Sequence, residues 1–189
     1  MTIYIALLRG INVGGKNMIK MADLKRILET LGLSQVEIYI QSGNIIFESD
    51  ENENTLREKI QKEIEKSYGF SIVVVLRTAV ELGQIIEDCP FTKDEIMQAE
   101  MANIEGESLY VSLLTQAPLQ EKKDYLNSYR NENDEFQMVN RDIYLLLRHS
   151  IRNSKLANNL PKLDVAATTR NWNTMNKLYD LVKARTNRS

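Results

Sequence analysis

The feature that most constrains this chain is that its pattern occurs twice. The run Ser108–Leu114 repeats Thr2–Leu8 position by position, with Tyr110 on Tyr4, Leu113 on Leu7 and Leu114 on Leu8. Laying Ile72 onward over Val165 onward makes the ends of the two halves coincide as well, with Arg77 on Arg170 and Thr78 on Asn171. Residue identity between the halves is weak. What is duplicated is therefore an order of elements, and the 189 residues read as two small units built to one plan.

That order can be read from hydrophobic periodicity and from start and stop signals. In Thr2–Leu8 both alternating faces are apolar, which predicts a central strand. Met21, Leu24, Ile27, Leu28 and Leu31 fall at helical spacing, with Gly32 as the stop. Val36–Gln41 and Ile45–Glu48 flank the turn Ser42-Gly43-Asn44. Asn52 or Asn54 caps an amphipathic helix carrying Leu56, Ile60, Ile64 and Tyr68. Ile72–Leu76 is a β-branched strand, and Thr78 with Glu81 forms a capping box for a helix that Pro90 closes. Thr92 with Glu95 forms a second box inside the connector.

The later half predicts a strand over 108–114 and a helix over Pro118–Tyr129 with proline in its first turn. It then predicts a hairpin around Asn140-Arg141-Asp142 and a helix over Ser154–Leu160 ended by Pro161. A short strand over Val165–Thr168 follows, and Asn171 caps a final helix. Each half is thus β-α-β-β-α-β plus an extra helix. The expected fold class is α+β, with two tandem ferredoxin-like split βαβ halves and antiparallel sheets. The expected boundaries are 1–90 and 107–189, joined by a connector over 91–106.

Three segments resemble a known family. They are Leu8–Asn17 with Ile19–Met21, Tyr39–Phe47, and Ala167–Thr174 with Lys177-Leu178. Together the chain resembles the bacterial domain-of-unknown-function family DUF1697. The resemblance implies the same two-half α+β fold and brings no established activity with it. The stretch Asn153–Leu163 is more polar and more proline-interrupted than the resemblance leads one to expect.

Two loops carry the candidate chemistry. In the first, Gly10, Gly14 and Gly15 permit positive φ, so that successive N–H groups can form an anion-binding nest. Arg9 and Lys16 add charge. It is not a nucleotide P-loop, because Gly15-Lys16 is followed by Asn17, which has no hydroxyl for a magnesium ion. The plainer alternative is that Asn12 and Asn17 bond the backbone locally while Arg9 and Lys16 are solvated. The second loop is Thr168–Asn173. There Arg170 precedes a helix start capped by Asn171, and Trp172 either stacks a ligand or packs as an anchor. The corner Gln41-Ser42-Gly43-Asn44 supplies further polar groups or is simply a turn.

Counting excludes much else. With one His (His149) and one Cys (Cys89), the chain has no Cys/His zinc set and no intramolecular disulfide. His149 is expected to be a surface residue at a strand end and Cys89 a small apolar filler. A net charge of -2 disfavours non-specific binding to a polyanion. Tyr4 and Tyr110 stand where the first-strand aromatics of RNA-recognition modules stand, but the likeness is one of position only. The third strands lack the matching pair, so the two tyrosines are expected between sheets. No run approaches bilayer-spanning length, so the expectation is an unprocessed cytoplasmic protein with no membrane partner.

The expected function is binding of an anionic small molecule, a nucleotide or phosphate ester. The expected contacts are Arg9, Asn12, Gly14, Gly15, Lys16 and Asn17, with Gln41, Ser42 and Asn44 beside them. Arg170, Asn171, Trp172 and Asn173 are expected to close the site. The alternative is a nucleic-acid-binding or protein-interaction module using open sheet faces. No base or nucleophile stands out, so the sequence assigns no reaction and no cofactor.

Overall fold

The computed structural model describes residues 1–187. They divide into two compact units: Met1–Gln84 with the segment from Lys177 onward, and Ile85–Asn176.

In the first unit, β1 (Thr2–Arg9) is followed by α1 (Met21–Thr30), β2 (Ser34–Tyr39), β3 (Asn44–Ser49), α2 (Glu53–Tyr68) and β4 (Val73–Thr78). The strands form one antiparallel sheet in the order β2-β3-β1-β4. The doubly apolar β1 is therefore central, as its pattern requires. Tyr4, Ala6 and Leu8 point into a core with Leu24 and Leu28 of α1 and Leu56, Ile60 and Ile64 of α2. The alternate residues Ile5 and Leu7, with Ile46 and Val75 beside them, are buried too.

The helix ends follow the local signals. The Asn52 side chain accepts the Thr55 N–H at 3.0 Å, and α2 ends on Gly69 in the left-handed region. Thr78 and Glu81 form their box at the start of α3 (Ala79–Glu87), with the Thr78 N–H donating to the Glu81 carboxylate at 2.8 Å. Gly83 of α3 lies against the ring of Tyr179, where an added Cβ would sit 3.4 Å from Cε2. Arg185 donates to Glu37 of β2 at 2.9 Å, across 148 positions of sequence.

In the second unit, α4 (Lys93–Ala102) opens on the complete Thr92–Glu95 capping box. Next come β5 (Leu109–Leu114), α5 (Gln120–Asn127), β6 (Asp134–Val139), β7 (Asp142–Leu147), α6 (Lys155–Asn158), β8 (Ala167–Asn171) and the start of α7 (Trp172–Thr186), whose part from Lys177 onward belongs to the first unit. The sheet order β6-β7-β5-β8 reproduces that of the first unit. So does the register: Val111 faces Arg170 as Ile5 faces Arg77. The core gathers Leu126 of α5, Leu156 of α6 and Phe136, Ile143, Leu145 and Leu147 of the sheet. The fold is α+β with two similar four-stranded halves, as the duplication predicts.

Four expectations need correction. The first concerns α5, which starts at Gln120, after Pro118. Leu119 stays extended as its N-cap, so the proline lies outside the first turn. The second concerns Pro161, which does not end a helix. The expected Ser154–Leu160 helix stops at Asn158, and Pro161 opens a separate 3-10 turn, Leu160–Leu163, where its missing N–H costs nothing. The third concerns Thr168–Asn173, which is not a loop: β8 runs through Asn171 and passes directly into α7. The fourth concerns Tyr4 and Tyr110. Tyr4 lies in the core of its own half, stacked on Phe47 at 5.8 Å, and Tyr110 packs against the core of the other. Ile5, Leu7, Val111, Leu113, Tyr144 and Leu146, which alternate with these residues or pair beside them, are also buried.

Candidate functional site

The segment Gly10–Lys20 between β1 and α1 is a clipped structure. Gly14 and Gly15 are both left-handed, at φ 57° and 73°, which is the backbone that a type I′ turn requires. The turn is closed by the Lys16 N–H donating to the Val13 carbonyl at 3.0 Å, and the two residues form a β-bridge. One step outward, the Asn12 N–H donates to the Asn17 carbonyl at 3.2 Å, and the Asn17 side chain donates to the Gly10 carbonyl at 3.0 Å.

Asn12 holds the loop to the rest of the unit. Its amide nitrogen donates to the carbonyls of Ile19 and Gln41, both at 3.0 Å, and its amide oxygen accepts the Ile19 N–H at 2.8 Å. The bond to Gln41 ties the loop to the β2–β3 corner. That corner is fixed in turn. Asn44, fully buried, donates to the Tyr39 carbonyl at 3.2 Å and to Ser42 Oγ at 2.9 Å. The Gly43 carbonyl accepts the Leu8 N–H at 2.8 Å. Ile11 and Ile19 anchor the two ends of the loop in the core.

Asn12, Asn17 and Asn44 thus spend their side chains on the backbone, while other residues face outward. Arg9, Lys16, Lys20, Gln41 and Ser42 are exposed. So are three aliphatic side chains: Val13 at 64%, Met18 at 62% and Ile40 at 49%. Charge is one-sided here. From Leu8 to Ala22 there are three cations and no acid, and Tyr39–Phe47 carries no charge, in a chain of net charge -2. Sequence reasoning misses Lys20, Val13, Met18 and Ile40 as surface features of this site. Their signal is apolar residues inside a segment that shows neither helical nor strand periodicity.

In the second unit the Arg170 segment is built differently. Arg170 is half-buried in β8, and burial pushes its guanidinium down to about 10. Its Nη1 donates to Thr168 Oγ1 at 2.7 Å and to the Thr169 carbonyl at 3.0 Å. Arg77, 1% exposed, donates in the same way to the Leu76 carbonyl at 2.7 Å. Both halves therefore use an arginine to brace the step from last strand to following helix. Asn171 accepts the Thr174 N–H at 2.8 Å, which is a cap. Trp172 is half-buried with its ring 6.4 Å from that of Tyr144, and Asn173 is exposed. The structure brings Arg9, Asn12, Gly14, Gly15, Lys16, Asn17, Gln41, Ser42 and Asn44 together in the first unit, and Arg170–Asn173 forms its own cluster in the second.

His149 is more than a surface residue. It is half-buried, and its Nε2 lies 2.7 Å from Oδ1 of the buried Asp134. The pair spans 15 positions between β6 and the end of β7, a separation that no local pattern reveals. Cys89 donates to the Phe91 carbonyl, and burial pushes its thiol up. Among the described residues no three His, Cys, Asp or Glu side chains gather where they could hold a metal ion.

A family model described as "Protein of unknown function (DUF1697)" matches residues 1–144. The chain belongs to the DUF1697 family. The matched stretch contains the clipped loop and the β2–β3 corner and ends before Arg170. A solved structure described as the conserved bacterial protein SP0830 from Streptococcus pneumoniae is similar over 96% of this chain and 98% of that one. The TM-score is 0.72 and the identity 27%. The DUF1697 fold seen here is thus shared across nearly the whole chain. A search of curated proteins finds no match. Among the described residues no helix is long and apolar enough to cross a membrane.

Proposed function

We propose that this protein is a cytoplasmic binding protein that takes an anionic small molecule, of the nucleotide or phosphate-ester class, at its clipped glycine loop. The observation that carries the reading is the isolated positive charge. Lys16 closes a rigid turn and Lys20 follows it, in a segment without an acid, while the chain as a whole is acidic. The hydrogen bonds that close the turn use the Lys16 N–H and the Val13 carbonyl, leaving the N–H groups of Gly14 and Gly15 at the exposed tip. Two adjacent left-handed residues present such groups toward an anion without reorganisation. Gln41 and Ser42, held beside the loop through Asn12, add neutral hydrogen-bonding partners.

The reading assigns no reaction, because no general base or nucleophile stands at the loop. Arg170, Asn171 and Trp172 have structural partners in their own unit, so the proposal centres on the loop. The test is a titration with inorganic phosphate, nucleotides and sugar phosphates, following the backbone amide resonances of Gly14, Gly15 and Lys16. Saturable shifts at these three amides that disappear in Lys16→Ala are expected. Flat titrations with every anion would sink the reading.

A further inference from the structure

The clipped loop and the β2–β3 corner expose aliphatic side chains that an anion-binding loop does not need. Val13, Met18 and Ile40 are 64%, 62% and 49% exposed. Val13 and Met18 belong to the clipped loop and Ile40 to the corner, and the Asn12 bond to the Gln41 carbonyl ties the two together. Ile40 is also held at φ 52°, a backbone region that β-branched residues avoid. At the corresponding hairpin of the second half the left-handed residue is Asn140, at φ 55°, a type that tolerates the region. The first half thus accepts backbone strain at a position where it displays an apolar side chain.

We infer that this end of the first unit docks on an anionic bilayer surface, with Val13, Met18 and Ile40 entering the headgroup layer and Lys16 and Lys20 meeting lipid phosphates. Three features favour a bilayer as the occupant. The exposed apolar groups are aliphatic and flexible rather than aromatic, which suits acyl chains and offers no platform for nucleic-acid bases. The two segments that carry them, 8–22 and 39–47, contain Lys16 and Lys20 and no acid, which is complementary to the surface of an anionic leaflet. The loop's own polar side chains, Asn12 and Asn17, are already satisfied internally, so apolar surface can leave water without stranding them. No membrane-spanning element is required, since such contacts are peripheral.

The inference shares its cations with the small-anion reading but does not need a small ligand, and one set of experiments separates them. The full chain is sedimented with vesicles of phosphatidylglycerol mixed into phosphatidylcholine, and with phosphatidylcholine alone. Partition into the anionic vesicles only, weakening as salt is raised, is expected. Lys16→Ala and Lys20→Ala should each lower partition about fivefold, the equivalent of ~1 kcal/mol for a basic residue at an anionic surface. Met18→Ser should lower it at least tenfold, since most of an apolar side chain is withdrawn from the bilayer. Circular dichroism checks that each variant is folded, which is expected at exposed positions. The inference is overturned if anionic vesicles recruit no protein. It is equally overturned if Met18→Ser and Val13→Ser leave partition unchanged, because the contact is then charge adsorption alone. Vesicle partition without a phosphate response at Gly14 and Gly15 supports docking and removes the small-anion reading. A phosphate response without vesicle partition does the reverse.

Discussion

Replacing Gly43 by alanine should be among the most damaging single-atom additions this chain can receive. The residue sits at φ 79°, and a Cβ there would lie 2.7 Å from Cβ of Leu8 and 2.9 Å from Cδ1 of Ile11. Leu8 is backbone-fixed in the central strand, so its Cβ cannot swing away. The conformational part of the cost is ~1–2 kcal/mol for a non-glycine residue in the left-handed region. Forcing a methyl into a packed contact adds ~1–3 kcal/mol. Reduced freedom of the unfolded chain returns up to ~1 kcal/mol, leaving a net loss of about 2–4 kcal/mol. Gly14→Ala is the matched control: it shares the left-handed backbone but meets nothing within 4 Å, so it should lose only about 1 kcal/mol. Urea unfolding followed by circular dichroism, with amide exchange at β1 reporting on the first unit, measures both. A slope near ~2 kcal/mol per molar makes the Gly43→Ala midpoint fall by roughly 1–2 M. Equal losses at the two glycines would refute the claim that the corner is packed onto β1 and the loop.

Other perturbations test the same structure elsewhere. Ile40→Asn should relieve the left-handed strain and stabilise the fold by ~1 kcal/mol, visible as a raised melting temperature, while weakening vesicle partition. Asn12→Ala removes three hydrogen bonds. It should cost ~1–3 kcal/mol and speed amide exchange at Ile19, whereas unchanged exchange would mean that the loop holds itself. Tyr144 donates to the Ile85 carbonyl at 2.7 Å, and burial, followed by the charge of Asp142, pushes its phenol up from 10.0. The native chain then keeps a proton that the unfolded chain loses, so this contribution is complete below pH 10 and fades as pH rises beyond it. Tyr144→Phe should flatten that alkaline loss and cost ~1–2 kcal/mol at neutral pH through the stranded carbonyl, as urea unfolding at a series of pH values would show.

The parts of the fold legible in the sequence are those whose causes are local. The Thr78–Glu81 and Thr92–Glu95 boxes, the Asn52 cap and the duplicated first strand each depend on residues a few positions apart, and each forms as the pattern predicts. The parts that differ depend on distant partners. Thr169–Asn171 is polar enough to pass for a loop beyond the expected short strand, yet it continues β8 because β5 supplies the hydrogen bonds. The tyrosines of β1 and β5 lie on the face opposite to the expected one, because alternation gives two faces without saying which one the helices cover. At the candidate site, glycines and cations announce a loop. The local backbone bonding open to Asn12 and Asn17 from sequence is present, and what the sequence does not reveal is the Asn12 bond to Gln41, 29 positions away.

The first unit is not a continuous stretch of chain. Its opening 84 residues are completed by the segment from Lys177 onward, where Tyr179 meets Gly83 and Arg185 meets Glu37. During synthesis the early strands and helices leave the ribosome long before that last segment exists. At ~5–20 residues per second the 148 positions between Glu37 and Arg185 take about 7–30 s to make. Through that interval the nascent first unit must wait with its final layer missing. Chaperone dependence and sensitivity to premature stops should therefore concentrate at the codons from Lys177 onward, although the loop that distinguishes the protein is made more than 150 residues earlier.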